Sequence, residues 1–425
     1  MDGPLTSFER SFFTANTLLT ISQITRETLR VLENNLVFSK HVRRDFDDSF
    51  GRAGAKIGTV LNIRKPARYS GRTGQGLSIE DATETQVPLV LNTQRGVDIA
   101  FTSQDLALSI DDFKDRFIRP AIANVANQID FDGLQQYLNI YNTIGTPGTV
   151  PNALLTYLQA GQRLDEEAAP RDNLRTLVIS PAMQATIIDT LKGLFQESTE
   201  IGRQYEEGTM GRSIGFKWNM DQNVGINSVG VLGGAPTVTG ANQTGSSLIT
   251  GAWTAVALKR LLRGNVFTIG AGATGVFAVN PQSKQSTGAL RQFVATTDGS
   301  SDGAGAMTIN ISPSIIVSGP FQNVTGLTGP ITGPANGATI NVLGAASTAS
   351  PQGLAFHKDA FALGCADLPL PGGVDMAARV ADKQLGLSIR LVRAYDINTD
   401  RFPTRLDILY GWTTLYAELA CRIAS

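Results

Sequence analysis

No glutamate lies between Glu207 and Glu418, histidine occurs only at His41 and His357, and cysteine only at Cys365 and Cys421. Two cysteines cannot build a disulfide framework in a chain of 425 residues, so a reducing compartment is expected. Cys and His at ligand spacing are missing too, which leaves no metal site to predict, and no Gly-x-Ser-x-Gly elbow offers a nucleophile. No run of about 18 apolar residues occurs, and the start "MDGPLTSFERSFF" lacks the apolar core of a signal peptide. Neither export nor a membrane partner is expected. A surplus of either charge is also absent: 36 basic residues nearly cancel 37 acidic ones. Tight binding to nucleic acid through many phosphates would need a basic excess, so any such contact is expected to be weak and non-specific.

What is present is a sharp change of composition. Residues 222–350 carry only seven charged side chains (Lys259, Arg260, Arg263, Lys284, Arg291, Asp298 and Asp302) but 21 of the 44 glycines. Short Thr, Ser, Val and Ala runs split by turn residues predict an all-β unit inserted into a charged host of helices and strands.

The host is legible on both sides of that insertion. Leu18, Ile21, Leu29, Leu32 and Leu36 fall roughly on one face of a predicted helix over residues 14–40, and that face needs a partner. "KIGTVLNIRKP" and "QVPLVLNTQRGVDIAF" predict two strands joined by about 20 residues, longer than a hairpin turn requires. This arm carries Arg64, Lys65, Arg68 and Arg72, then Glu80, Asp81 and Glu84. It reads either as a contact with a neighbouring molecule or as a solvated hairpin. Ser109 and Asp112 resemble a capping box before a long helix over 110–142, with a kink expected at Pro120. "NALLTYLQAGQRL", "LRTLVISP" and "AMQATIIDTLKGLF" predict helix, buried strand and helix, and "MGRSIGFKWNMDQNV" a hairpin.

Four patterns invite a chemical reading. Gly270, Gly272 and Gly275 have the spacing of a dinucleotide fingerprint, with Asp298 where a ribose-binding acid could sit. The fingerprint needs a helix after the glycines, and "GVFAVNPQSKQSTGAL" predicts none, so a β-hairpin with a glycine-rich tip is expected. His357, Lys358 and Asp359 are contiguous and so point in different directions, which suits a structural turn. Asp165, Glu166 and Glu167 read as a solvated helix end, and Asp45, Asp47 and Asp48 lack the glycine and distal glutamate of a calcium loop. No catalytic residue, cofactor or metal is predicted.

The order of these pieces resembles the major coat proteins of tailed bacteriophages, in the P-twenty-two-like branch. The resemblance runs through "DDFKDRFIRPAIANVANQID", "TLVISP", "SIGFKWNMDQNV" and "LAFHKDAFALGCADLPLP", and is most specific in "GNVFTIGAGATGVFAVNPQSKQSTGALRQFVAT". It implies an α+β, HK-ninety-seven-like fold: an N-terminal arm (1–45), an extended loop with flanking strands (46–102), a spine helix and peripheral domain (103–150), an axial domain (151–221), an inserted β-barrel (222–350) and a second axial and peripheral part (351–425). It further implies a homo-oligomeric icosahedral shell of pentamers and hexamers in the virion. That shell would be built in the bacterial cytoplasm with scaffolding and portal proteins, and would expand around double-stranded DNA. The arm charges at 64, 65, 68, 72, 80, 81 and 84 then become candidate inter-subunit contacts, and the leucine face at 18–36 a candidate partner face. A non-viral nanocompartment shell and, more distantly, a nucleotide-binding enzyme are the alternatives.

Overall fold

The computed structural model describes residues 36–44, 60–69, 71, 74–77, 79–81, 84–102, 119–191, 211–382 and 387–425. Leu18, Ile21, Leu29, Leu32, Asp45, Asp47, Asp48, Arg72, Ser109 and Asp112 lie outside them. The described chain is mixed α and β with strands dominating. It divides into two compact units, one drawn from Gln94–Ala126 and Cys365–Leu409, the other from Leu36–Thr93, Asn127–Gly364 and Tyr410–Ser425.

The first unit is an antiparallel meander of Met376–Asp382, Leu387–Arg393 and Arg401–Thr414, with Thr93–Thr102 paired to the last. Gly96 permits that pairing, because a Cβ there would lie 2.4 Å from the Leu406 carbonyl oxygen. Asp407 ties three strands together: it accepts two bonds from Arg390, at 2.9 and 2.6 Å, and one from Gln94 at 2.6 Å. A bidentate guanidinium of this kind fixes register as well as charge.

In the second unit, one sheet runs in the order Thr143–Gly145, Ala420–Ala424, Ala349–His357, Arg175–Ile179, Phe216–Met220 and Arg212–Ser213. Its strands come from both sides of the low-charge region. Helix α1 (Arg119–Leu134) passes from the first unit's segment of chain into the second; α2 is Leu154–Glu166 and α3 is Pro181–Leu191. The spacing of Tyr157, Ala160 and Leu164 puts three buried side chains on one face of α2, where they join Leu177, Ile179, Phe216 and Trp218 in a common core. Ser180 accepts from the Met183 amide ahead of α3, and Pro181 sits where its missing N–H costs nothing. The predicted helix–strand–helix and the hairpin at 212–220 are present.

Two boundaries differ from expectation. The long helix ends at Leu134 rather than near 142: a 3-10 turn over Gln135–Asn139 redirects the chain so that Thr143–Gly145 can lie parallel to Ala420–Ala424. Residues 36–41 do not continue a helix either; Ser39–His41 is a single 3-10 turn, and Leu36 is buried inside the second unit.

Residues 222–350 hold strands and one short 3-10 turn. Six strands follow in the order Ile340–Val342, Val266–Ile269, Gln292–Ala295, Met307–Ile315, Gly245–Trp253 and Gly234–Val238. Thr237 opposite Thr339, with mutual bonds between Val238 and residues 337–338, closes the first strand on the last. The result is a small barrel, filled by Leu248, Phe267, Phe293, Ile309 and Ile311 among others. Its incoming strand Ile226–Ser228 and outgoing residues Ala349–Pro351 pair antiparallel as a double stem.

The glycine fingerprint lies in this barrel and is not the expected hairpin. Val266–Ile269 and Phe277–Val279 join different sheets, and the link holds only the 3-10 turn Gly272–Thr274. Gly270 has φ +68°, and a Cβ there would sit 2.0 Å from the Thr274 carbonyl oxygen. Tight backbone closure explains this glycine without a pyrophosphate. Asp298 is occupied by Lys259 at 2.7 Å and the Arg263 amide at 2.8 Å.

The acidic helix end also differs from the expected solvated face, because Glu167 turns inward. Glu167 is only 8% exposed and pairs with Arg291 of the barrel, whose guanidinium lies 4.5 Å from the Tyr141 ring centre. By contrast, "FHKDAF" is the expected turn: His357 is buried, meets Asp172 at 3.0 Å and accepts from the Asp359 amide.

Arg422 is an unusual core residue, 1% exposed in the middle of the main sheet. Its Nε donates to Thr143 Oγ1 at 3.2 Å and its plane faces Tyr137, but one terminal nitrogen has no partner. Burial pulls its guanidinium down to about 10. A buried charge without a carboxylate costs several hydrogen bonds' worth of solvation. Arg422→Met is therefore expected to raise stability by about 1–3 kcal/mol, read as a higher urea midpoint at unchanged slope.

Candidate inter-subunit surface

The arm begins as a ladder in perfect antiparallel register, from Val60 opposite Val90 to Lys65 opposite Thr85. Side chains alternate between exposed and half-buried along Val60–Lys65, while the partner strand buries Leu89 and accepts a bond from Thr413 at the Pro88 carbonyl. Residues 66–84 then leave the ladder as the long connection.

The charges predicted for neighbour contacts are largely engaged within the chain. Arg64 faces Glu84 across the ladder at 3.9 Å, both side chains well exposed. Arg68 donates to Glu418 at 2.5 Å and sits over the Phe321 ring at 5.9 Å. Lys65 lies 4.6 Å from the Tyr416 ring centre; burial pushes its amine down, Glu418 pulls it back up, and Arg68 adds to the lowering. Glu80 lies close enough to Lys284 of the barrel for its charge to act on that amine. These contacts strap the base and middle of the connection to its own subunit. Only the composition, not the pairing, was visible in sequence, because Glu418 is 350 residues from Arg68.

The outward surface is apolar instead. Leu77 is 85% exposed and Ile79 82%, with Tyr69 at 59%. Leu77 and Ile79 are the most exposed of the large apolar side chains among the described residues, and they sit two apart near the middle of the connection. Single exposed apolar side chains are ordinary, but two of them this close together leave an exposed apolar spot on the connection. Sequence reasoning weighted the charges and passed over "GLSIED", where that pair was readable. Of the predicted helix face, Leu36 alone is described, and it is core rather than partner surface.

A cleft of about 570 Å³ lies beside the arm's base, lined by Lys65, Tyr141, Trp412 and Glu418 among others. No group of His, Cys, Asp and Glu able to hold a metal occurs among the described residues. No helix there is long and apolar enough to cross a membrane.

Residues 14–421 match the family described as "P22 coat protein - gene protein 5", and the chain belongs to that family. It is a tailed-bacteriophage major capsid protein, a virion component that forms a homo-oligomeric shell. No curated protein matches the sequence. Among solved structures, a chain of Mycobacterium phage Che8 is similar at 12% identity and TM-score 0.45, over 91% of this chain and 90% of that one. The capsid of Cyanophage P-SCSP1u is similar at 11% and 0.40, over 86% and 83%. The mature capsid of bacteriophage PhiM1 is similar at 12% and 0.39, over 87% and 82%.

Proposed function

We propose that copies of this chain assemble with a scaffolding protein and a portal into an icosahedral precursor of pentamers and hexamers in the bacterial cytoplasm, which then expands around double-stranded DNA. In this reading the fold is HK-ninety-seven-like: α1 is the end of the spine helix, the arm at 60–90 is the extended loop, residues 151–221 and 351–425 supply axial and peripheral parts, and the barrel at 222–350 is an inserted domain. The family match over 14–421 carries the reading. The arm's apolar tip supports it by supplying a repeated contact, while the near-balance of 36 basic against 37 acidic residues suits a wall that encloses DNA without adhering to it.

Inter-subunit contact falls first to Leu77 and Ile79, with Arg72, Asp81, Arg64 and Glu84 as its charged candidates; Lys65, Arg68 and Glu80 hold the arm in place for that contact. Exposed ion pairs contribute roughly 0–1 kcal/mol each, so the charges tune rather than drive the association. The leucine face at 18–32 is assigned to scaffold or neighbour binding. The test is sedimentation of the concentrated protein with and without its scaffolding partner, with electron microscopy of the fast fraction. Closed uniform particles are expected; a species that stays small with the scaffold present refutes the reading.

A further inference from the structure

The hairpin at 212–220 sets two like charges face to face at one edge of the main sheet. Its two-residue turn, with Ile214 at φ +48° and Gly215 at φ +81°, places Arg212 directly opposite Lys217, so both side chains leave the same face. Both residues are exposed. Like charges in that position are destabilising, and among the described residues neither has a carboxylate partner; Arg212 donates to the Asn173 side chain instead.

Neighbouring segments bring more positive charge to the same place. Asn173 precedes Leu174, whose carbonyl accepts from the Lys358 amide at 3.2 Å. Next along the chain Asp359 meets Arg43 at 3.8 Å, and the Arg43 backbone is fixed by bonds with Phe361 and Leu363 at 3.1 and 3.0 Å. Arg44 donates to the Lys40 carbonyl at 3.2 Å. The sum of these charges acts on His41, whose imidazole is held down to about 4 by burial first and then by Lys217, Lys40 and Arg44. The carboxylates that border the patch are already engaged: Asp172 by His357 at 3.0 Å, Asp359 by Arg43 and His357, and Asp165 by Arg171 and by Arg175 at 2.8 Å.

We propose that this basic patch, centred on Arg212 and Lys217, binds the phosphate backbone of double-stranded DNA. It rests on the shell reading above and gives the enclosed DNA a place of contact. A phosphate seated between Arg212 and Lys217 removes the repulsion that the chain alone leaves uncompensated, and a guanidinium fork matches phosphate geometry. Backbone contacts carry no sequence information, as a wall facing any stretch of a genome requires. One local patch on a chain of 36 basic and 37 acidic residues supplies few contacts per copy, so each copy binds weakly and the shell multiplies the effect. An acidic polypeptide offers the same sign of charge without the phosphate fork, and is the rival occupant.

Fluorescence anisotropy of a labelled duplex of about 20 base pairs with the full-length, unassembled subunit, followed from about 50 to 200 mM salt, reads the patch directly. Wild type should bind with a dissociation constant of roughly 10⁻⁴ to 10⁻⁶ M at the upper salt. Arg212→Gln with Lys217→Gln should bind about tenfold or more weakly at the lower salt, with a salt slope shallower by about two. Lys217→Glu separates binding from folding. A carboxylate opposite Arg212 turns repulsion into attraction, so the urea midpoint should hold or rise while DNA binding falls by about tenfold or more. The proposal is overturned if wild type fails to bind at about 50 mM salt, if the double variant keeps the wild-type slope, or if Lys217→Glu loses stability and binding together. Poly-glutamate binding more tightly than the duplex at equal charge, with that advantage lost in the double variant, overturns it too and gives the patch to an acidic protein. A subunit that closes into shells yet fails here loses this patch alone, whereas failure to form shells bears on the function proposed above.

Discussion

Glu167→Gln lowers the stability of the subunit by about 3–5 kcal/mol, because it strands Arg291 as a buried charge without its paired carboxylate. Arg291 is as buried as Glu167 and its Nε lacks a partner, which leaves only the Tyr141 side chain and the charge of Glu418 to support it. Burial pushes the Glu167 carboxyl upward and Arg291 holds it back, so the pair persists only while both members are present. The lost energy should appear as a fall in urea midpoint with little change of slope. Replacing both residues together, Glu167→Met with Arg291→Met, should recover most of the loss, since an apolar pair of similar volume has no desolvation to offset. A single substitution costing under about 1 kcal/mol would mean that water reaches the pair. The bond also joins the end of α2 to the barrel, beside a reciprocal pair in which Gln292 donates to the Thr143 carbonyl and accepts from its amide, at 2.9 and 2.8 Å. Its rupture should therefore loosen barrel from sheet before either melts.

Leu77→Asp combined with Ile79→Asp abolishes shell formation while leaving the subunit as stable as before. Both side chains are exposed, so the folded chain loses little, within roughly ±0.5 kcal/mol. Burying each against a neighbour is worth about 1.5–3 kcal/mol, and a shell repeats that contribution at every copy. A charge in its place has to be desolvated instead. Light scattering during assembly, with thermal unfolding as the control, separates the two effects. Normal assembly kinetics would remove the arm tip from the interface. Charge reversal at Arg64 should have a much smaller effect, since its partner Glu84 is exposed and on the same arm.

The sequence carried local order well and distant pairing poorly. "NALLTYLQAGQRL", "LRTLVISP" and "AMQATIIDTLKGLF" carry short-range signals, and the helix, strand and helix they announce are present. The loss of charge after residue 222 marks the stretch that holds the barrel. Glu167 looked solvated because its partner is 124 residues on, and the strand Val266–Ile269 looked like half of a hairpin because its true neighbours are Gln292–Ala295 and Ile340–Val342. Periodicity reports which face of a strand is apolar, but not which strand lies beside it. The arm was misjudged in emphasis for the same reason: Arg68 and Glu80 stand out in a string of letters, while the strap that engages them becomes visible only when Glu418 and Lys284 are brought alongside.

The double stem of Ile226–Ser228 against Ala349–Pro351 has a consequence for heredity and engineering. Neighbouring antiparallel strands lie about 5 Å apart, so the chain departs from its host and returns to it at nearly one point. A tight turn of two residues could span that gap without disturbing the register of Ala349–His357 in the main sheet. The barrel is thus entered and left at nearly one point, while the Glu167–Arg291 pair and the Gln292–Thr143 bonds fasten it to the host from the side, so any exchange of the domain has to replace those contacts as well as the stem. The same locus is the natural port for splicing a foreign domain onto every copy of the coat.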